Sequence, residues 1–354
     1  MKEEHKANSY SGKEIDTVDL KHLSASKLNT YLECPLKFFY SYVIKTEKPQ
    51  STSEGFDVRE GGSLMHLCFE NFAKHIKDNS SIGNERLNKL MLDISNDSYK
   101  EFIEKEITDK ENSYHRLYLS ELQKGLVGES KKGLLARFVE YFKDNREKLN
   151  NFIDSEFERE FWLDNEFKLL TQDEVANDNY FISGKIDRID NLEDQVFIID
   201  YKSSKVTSTS GFNTKKQLKL EVQDSEDLPI KDVQLPLYML WAEQEIPNKD
   251  ITSSLLSFKN GTNQEMFTGN KWGANFVNIS TKGEAKEKTG RNKNDITQTH
   301  YTEEYREKLK TEIIAIKEKI EKGDFGMTPS EDSCKYCDIK NFCFGKVEKD
   351  EEDK

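Results

Sequence analysis

Between residues 181 and 202 the chain reads FISGKIDRIDNLEDQVFIIDYK, two apolar-rich runs of strand length around the polar turn Asn191-Leu192-Glu193-Asp194. That pattern predicts a β-hairpin, and the rest of the chain is organised around it. One carboxylate, Asp187, lies in the first strand; a second, Asp200, ends the second strand, with Lys202 two residues beyond. Residues two apart on a strand share a face, so Asp200 and Lys202 project together. An acid and a lysine at a strand end, facing another strand's acid, form a set that binds a metal ion and activates water. A surface salt bridge on an ordinary hairpin has the same local pattern, so the decision rests on the remaining sequence.

The 354 residues suffice for one large α/β domain or two smaller ones. Hydrophobic and charged residues are nearly equal, 35% and 34%, which predicts a very polar surface. No apolar run approaches a membrane span, and the first twenty residues lack the apolar stretch of a signal peptide, so a cytoplasmic location is expected. The formal net charge of −13 excludes a generally basic DNA-coating protein. A local basic groove, or a carboxylate metal site, is compatible with it.

The segments expected along the chain are a polar, disordered leader over 1–20, one domain over 21–344 and an acidic tail over 345–354. Ser24 or Ser26 can cap a helix carrying Leu28, Tyr31 and Leu32, which Pro35 interrupts. Residues 57–62, DVREGG, read as a loop feeding the amphipathic segment SLMHLCFENFAKHI. A charged helical insertion is expected over about 84–148, with KGLLARFVEYFKDNREKL its clearest amphipathic piece. Strands follow at 156–163, in the hairpin, at 253–258 and at 275–279. The polar insert SSKVTSTSGFNTKKQLKLEVQDSED reads as a loop or flap beside the site, and Lys202, Lys205, Lys215, Lys216 and Lys219 offer a local basic rim. KGEAKEKTGRNKND reads as mobile. Residues 302–321 are a helix stopped by Gly323.

Three further features bear on the hairpin. Gly62-x3-His66 opens the second amphipathic segment; a histidine can complete an oxygen-rich divalent metal site, and Glu70 shares its helix face. Asp187 and Asp200 supply oxygen ligands suited to Mg²⁺ or Mn²⁺, the Tyr201 carbonyl is a further candidate ligand, and Lys202 can orient water and stabilise charge on a phosphate. Gln234-x3-Tyr238 places an amide and a phenol on one helix face, both able to bond phosphate oxygens. Finally, Cys334, Cys337 and Cys343 form a C-x2-C-x5-C cluster. Cys34 is the natural fourth ligand, and Cys68 lies in the apolar segment beside His66. Four thiolates suit an iron–sulfur cluster or a structural zinc. Cys34 and Cys334 are 300 residues apart, and closing so long a loop is worth roughly 5 kcal/mol in a chain-entropy account.

Taken in order, LSASKLNTYLECPLKFFYSY, G-x3-H, GKIDRID, IIDYKSS, Q-x3-Y and GDFGMTPSEDSCKYCDIKNFC resemble the RecB-like branch of the PD-(D/E)xK nuclease superfamily. The set is most similar to the iron–sulfur nuclease domain of AddB-type helicase–nuclease subunits, over roughly residues 23–344. The resemblance implies a restriction-endonuclease-like α/β fold: a mixed central β-sheet flanked by helices, with a helical insertion and an iron–sulfur staple. It implies His66, Asp187 and Asp200, with Tyr201, as ligands of Mg²⁺ or Mn²⁺, Lys202 as catalytic lysine, and Gln234 and Tyr238 as the Q-x3-Y pair. It implies Cys34, Cys334, Cys337 and Cys343 as ligands of a [4Fe–4S] cluster pinning the chain ends together.

The expected function is a metal-dependent DNA nuclease, an exonuclease on single-stranded or unwound ends in repair or recombination, with DNA and an AddA-like helicase subunit as partners. AddB-type proteins carry this domain behind a long helicase-like region, and no G-x4-GK[ST] phosphate loop is present here. A stand-alone nuclease or the nuclease end of a larger subunit is therefore expected. Two alternatives stay open: a CRISPR-associated RecB-like nuclease of spacer acquisition, and a non-catalytic DNA-end-binding module.

Overall fold

The computed structural model describes residues 20, 22–46, 56, 58–106, 113–128, 131–176, 179–203, 232–258, 275–281, 286–287, 296–328, 334, 337, 339–340 and 343. The leader up to residue 19, nearly all of the polar insert with Lys205, Lys215, Lys216 and Lys219, most of 282–295 and the acidic tail lie outside them.

Among the described residues, nine strands form one mixed sheet. They are β1 (Leu23–Ser24), β2 (Ser155–Leu163), β3 (Leu169–Leu170), β4 (Ile182–Asn191), β5 (Gln195–Tyr201), β6 (Asp250–Ser257), β7 (Asn275–Ser280), β8 (Lys286–Glu287) and β9 (Ile296–His300). The order across the sheet is β3-β2-β4-β5-β6-β7-β9-β8, with β1 parallel to β4. The hairpin is β4–β5, antiparallel as its sequence predicts. β5 and β6 are parallel, a pairing no tight turn can make, and helix α8 (Gln234–Glu245) provides the crossover between them.

Helices cover both faces, so Val196, Ile198 and Ile199 of β5 are all buried, as a strand covered on both sides requires. One face packs on α1 (Ala25–Glu33), α2 (Pro35–Phe38), α8 and α9 (Glu303–Glu321); its core includes Leu28, Phe161, Ile186, Ile198, Trp241 and Leu309, and a single turn, α7 (Gln172–Val175), follows β3. The other packs on α3 (Val58–Asp78), α4 (Leu87–Glu106), α5 (Ser113–Gln123) and α6 (Leu134–Asn145), with Phe69, Phe138, Tyr141, Ile199 and Tyr201 in its core. The expected helical insertion thus supplies a layer of the fold. No helix among the described residues is long and apolar enough to cross a membrane.

The expected loop over 57–62 is corrected: α3 already begins at Val58 and runs through Gly61 and Gly62. Glycine weakens a helix by about 1 kcal/mol relative to alanine, but here packing overrides that local preference. A Cβ on Gly61 would lie 2.5 Å from the Tyr118 hydroxyl of α5, and one on Gly62 would touch Ser203 Oγ at 3.4 Å. The glycine pair lets the helix start press against both. β6 also begins three residues earlier than its sequence suggests, at Asp250.

The region of α1 and α2 meets the residues that follow α9. Tyr31 Oη donates to the Asp324 carbonyl at 2.6 Å and Thr328 Oγ1 to the Glu33 carbonyl at 3.0 Å. The Phe325 ring lies 4.9 Å from that of Phe39. Cys34 sits at the break between α1 and α2, where Pro35 starts the second helix.

Candidate active site

The β4 ladder opens around Asp187. On one side, β1 pairs only with Ile182 and Ser183, and β5 joins only from Arg188 onward. On the other, β2 pairs through Phe157–Arg188 and resumes at Arg159–Ile186, passing over Glu158 opposite Asp187. Glu158 has a φ of 54°, a left-handed conformation that a non-glycine strand residue rarely adopts. Backbone groups in such a gap need other partners. Asp187 Oδ2 accepts the Tyr201 N–H at 2.7 Å, and Tyr238 Oη donates to the Lys185 carbonyl at 2.9 Å.

Into this gap come side chains from three elements. From α3, His66 Nδ1 stands 3.3 Å from Asp187 Oδ2, with its ring edge-on to Tyr201. From the end of β5, Asp200 is buried, 2.6 Å from Lys202 Nζ. From α8, Gln234 donates through Nε2 to Asp200 Oδ1 at 2.8 Å and accepts from Lys202 Nζ at 2.9 Å. Tyr238, one turn on, reaches Asp200 Oδ1 at 3.3 Å and accepts from Gln234 Nε2 at 3.0 Å. The structure therefore brings together His66, Asp187, Asp200, Lys202, Gln234 and Tyr238, and puts the Tyr201 main chain beside them. Glu70 forms an ion pair with Lys74 on its own helix.

The electrostatics fit a cation. Burial, then the charge of Asp187, pushes the Asp200 carboxyl up to about 6, while Lys202 opposes the shift. Burial works against charge on His66 and on Lys202, yet both are raised, His66 by Asp187 and Lys202 by Asp200. The two acids thus repel each other; Asp200 leans on the Lys202 ammonium and Asp187 on the His66 ring. Asp200 Oδ2 lies against the Lys202 ammonium at 2.6 Å. Two carboxylates and an imidazole are a donor set for Mg²⁺ or Mn²⁺. As the side chains stand, no three His, Cys, Asp or Glu among the described residues are grouped around a metal position.

Four contributors escape sequence reading. Asp232 caps the start of α8, its Oδ1 accepting the Gln234 N–H at 2.8 Å and the Asn29 amide at 2.8 Å. Asn29 Oδ1 in turn accepts the Val233 N–H at 2.9 Å, so α1 fixes the turn that carries Gln234. An aspartate two residues before a helix is a visible capping signal; Asn29 has none. Arg188, fully buried, forms an ion pair with Asp190 at 3.0 Å and donates to Tyr141 Oη at 3.0 Å and to Tyr201 Oη. It ties the helical layer to the Tyr201 side chain directly beneath the site. Glu158 faces Asp187 across the gap, forms an ion pair with Lys185, and has its carboxyl raised by burial.

The cysteines are partly gathered. Cys34, Cys337 and Cys343 pack at the edge of the same core. Burial, reinforced by the nearby Cys34 sulfur, raises the Cys337 thiol, and Lys37 opposes it. The Cys343 sulfur lies 3.6 Å from Met327 Sδ. The Cys337 N–H bonds the Cys334 carbonyl at 3.4 Å, and the Cys343 N–H bonds the Ile339 carbonyl at 3.0 Å. Cys68 is buried on the opposite face.

The family model of the PD-(D/E)XK nuclease superfamily matches residues 22–344. The B-type subunit of the ATP-dependent helicase/deoxyribonuclease of Carboxydothermus hydrogenoformans is 29% identical over 198 residues, covering 53% of this chain and 16% of the relative. The protein of the same name from Clostridium kluyveri is 23% identical over 357 residues, covering 91% of this chain and 30% of the relative. The chain thus spans less than a third of the length of these relatives. Since the match takes in both helical layers, the sheet and the strand end that carries Asp200 and Lys202, the chain belongs to the PD-(D/E)XK nuclease superfamily.

Proposed function

We propose that this protein is a cytoplasmic, metal-dependent deoxyribonuclease that trims single-stranded or unwound DNA ends as an exonuclease in repair or recombination. One observation carries the reading: His66, Asp187, Asp200, Lys202 and Gln234 converge from four elements on a gap in the sheet. His66, Asp187, Asp200 and the Tyr201 carbonyl would hold Mg²⁺ or Mn²⁺. A divalent ion there supplies Lewis acidity toward a phosphoryl oxygen and lowers the pKa of bound water.

The chain's own groups do the rest. Lys202 stays an ammonium because Asp200 lies beside it, so it brings positive charge to a phosphate whose negative charge grows as water attacks. Gln234 bonds to both Lys202 and Asp200, which holds the lysine's aim. Tyr238 closes the inner side of Asp200 and seals the Lys185 carbonyl. Cys34, Cys334, Cys337 and Cys343 would hold a [4Fe–4S] cluster where α1 meets the residues that follow α9. The names of the relatives, subunits of a helicase/deoxyribonuclease, favour an AddA-like helicase as the partner that delivers unwound strand.

The test is degradation of end-labelled single- and double-stranded DNA by cluster-loaded protein with Mg²⁺ or Mn²⁺, with and without chelator. Asp200→Ala and Lys202→Ala should each slow cleavage at least about 100-fold, and chelator should abolish it. Wild-type protein that cuts no faster than Asp200→Ala protein would sink the proposal.

A further inference from the structure

A cavity of about 410 Å³ opens directly beside the catalytic cluster, with Lys185, Gln234 and Tyr238 forming the shared wall. Its other walls are Glu160, Phe161 and Trp162 of β2, Tyr180 before β4, Ser183 and Gly184 of β4, Leu237 of α8, and residues 24–26 at the start of α1. Gln234 and Tyr238 belong to the Q-x3-Y motif, whereas Trp162 and Tyr180 belong to none of the sequence motifs. The volume is that of a site for a single small ligand, for which about 300–1,000 Å³ is usual.

Its lining has two characters. The aromatic side is Trp162 and Tyr180, both half-buried. The Tyr180 ring is stacked on His22 with centroids 3.8 Å apart, and the His22 ring nitrogen bonds the Tyr180 carbonyl at 2.7 Å, so its plane is fixed. Trp162 is in register with Ser183 across the sheet, which places it at the same level. At the floor the Phe161 ring packs directly onto Gly184, where any Cβ would collide with it. The polar side is Ser24, Ser26 and Ser183, with the opening turn of α1, where Ser24 Oγ accepts the Lys27 N–H at 3.3 Å. Tyr238, on the shared wall, reaches within 3.3 Å of Asp200 Oδ1. A ligand in the cavity is therefore one side chain away from the catalytic acid.

We propose that this cavity is a subsite for one unpaired nucleotide of the strand being cut, its base stacked against Trp162 and Tyr180. The inference rests on the nuclease reading above and adds the source of single-strand preference. A base still paired to its complement brings a second strand with it, and the cavity has no room for one. Stacking uses the π-face that every base has, so the subsite tolerates any sequence.

The experiment uses the full chain and oligonucleotides carrying one abasic residue at successive positions. For wild-type protein with Mn²⁺, cleavage at one bond next to the abasic residue should fall roughly tenfold, with other bonds unaffected. Trp162→Ala should cut ordinary oligonucleotide at that reduced rate and lose its sensitivity to the abasic residue, and Trp162→Phe should recover both. Equal cleavage beside abasic and ordinary residues by wild-type protein would overturn the subsite, as would full abasic sensitivity in Trp162→Ala. A second measurement stands apart from catalysis: Asp200→Ala protein should bind an abasic oligomer roughly tenfold more weakly than a base-bearing one, and Trp162→Ala should erase the difference. If wild-type protein cuts nothing while this binding difference persists, the nuclease reading fails and the nucleotide subsite survives; equal binding of the two oligomers refutes the subsite alone.

Discussion

At the scale of single residues, the centre of the molecule is a set of charges held where water is scarce. Arg188 and Asp190 are 0% and 1% exposed. The guanidinium is also held over the rings of Tyr141, Phe152 and Tyr201. A buried pair of this kind contributes little net stability, but losing one partner leaves the other charged and alone. Arg188→Met should therefore destabilise the protein by about 3–5 kcal/mol in urea unfolding. Replacing Asp190 with Asn in the same chain should recover part of that loss, whereas a double variant as unstable as Arg188→Met alone would place the cost in lost packing. Because Arg188 also binds the Tyr201 hydroxyl, the single variant should weaken Mn²⁺ binding as well as folding.

At the scale of elements, the site depends on how helices are anchored to the sheet. α8 brings Gln234 and Tyr238, and the turn that starts it is fixed by the Asn29–Asp232–Val233 hydrogen bonds from α1. Asn29→Ala deletes two of them and leaves Asp232 as the cap of α8. A stability loss of about 1–2 kcal/mol is expected from denaturant titration, together with a fall in kcat larger than the change in KM, because Gln234 loses its fixed register over Lys202. An unchanged kcat would mean that α8 is held by its buried face alone, where Leu235, Leu237 and Trp241 already pack. The element-scale surprise in α3 has the same origin. Its glycine pair reads as a loop because local propensity disfavours glycine in helices, while the close approach of Tyr118 and Ser203 is a fact of tertiary packing.

At the scale of the whole molecule, the first and last helices are joined near Cys34 by Tyr31, Thr328 and the Phe39–Phe325 contact. A metal cluster on the four cysteines would add to a closure that hydrogen bonds and aromatic packing already make. Aerobic loss of the cluster should thus lower the unfolding temperature without abolishing the cooperative transition. Cys34→Ser, Cys334→Ser, Cys337→Ser and Cys343→Ser should each remove visible absorbance, while Cys68→Ser, on the other face, should leave it. Persistence of that absorbance in Cys334→Ser protein would rule that residue out as a ligand.

The sequence by itself determined the hairpin, the helix after it and the residue types of the site. Period-two spacing put Asp200 and Lys202 on one face, period 3.6 put Gln234 over Tyr238, and both hold because they are local properties of a strand and a helix. It could not place Asp187 in a gap of the ladder, since that gap comes from β1 and β5 sharing one edge of β4 unequally. Nor could it show Glu158 turning out of register, Asn29 holding α8 from a distance of about 200 residues, or Trp162 and Tyr180 enclosing a cavity. Those arrangements depend on contacts between residues far apart in the chain, and only the packed layers on the two faces of the sheet decide them.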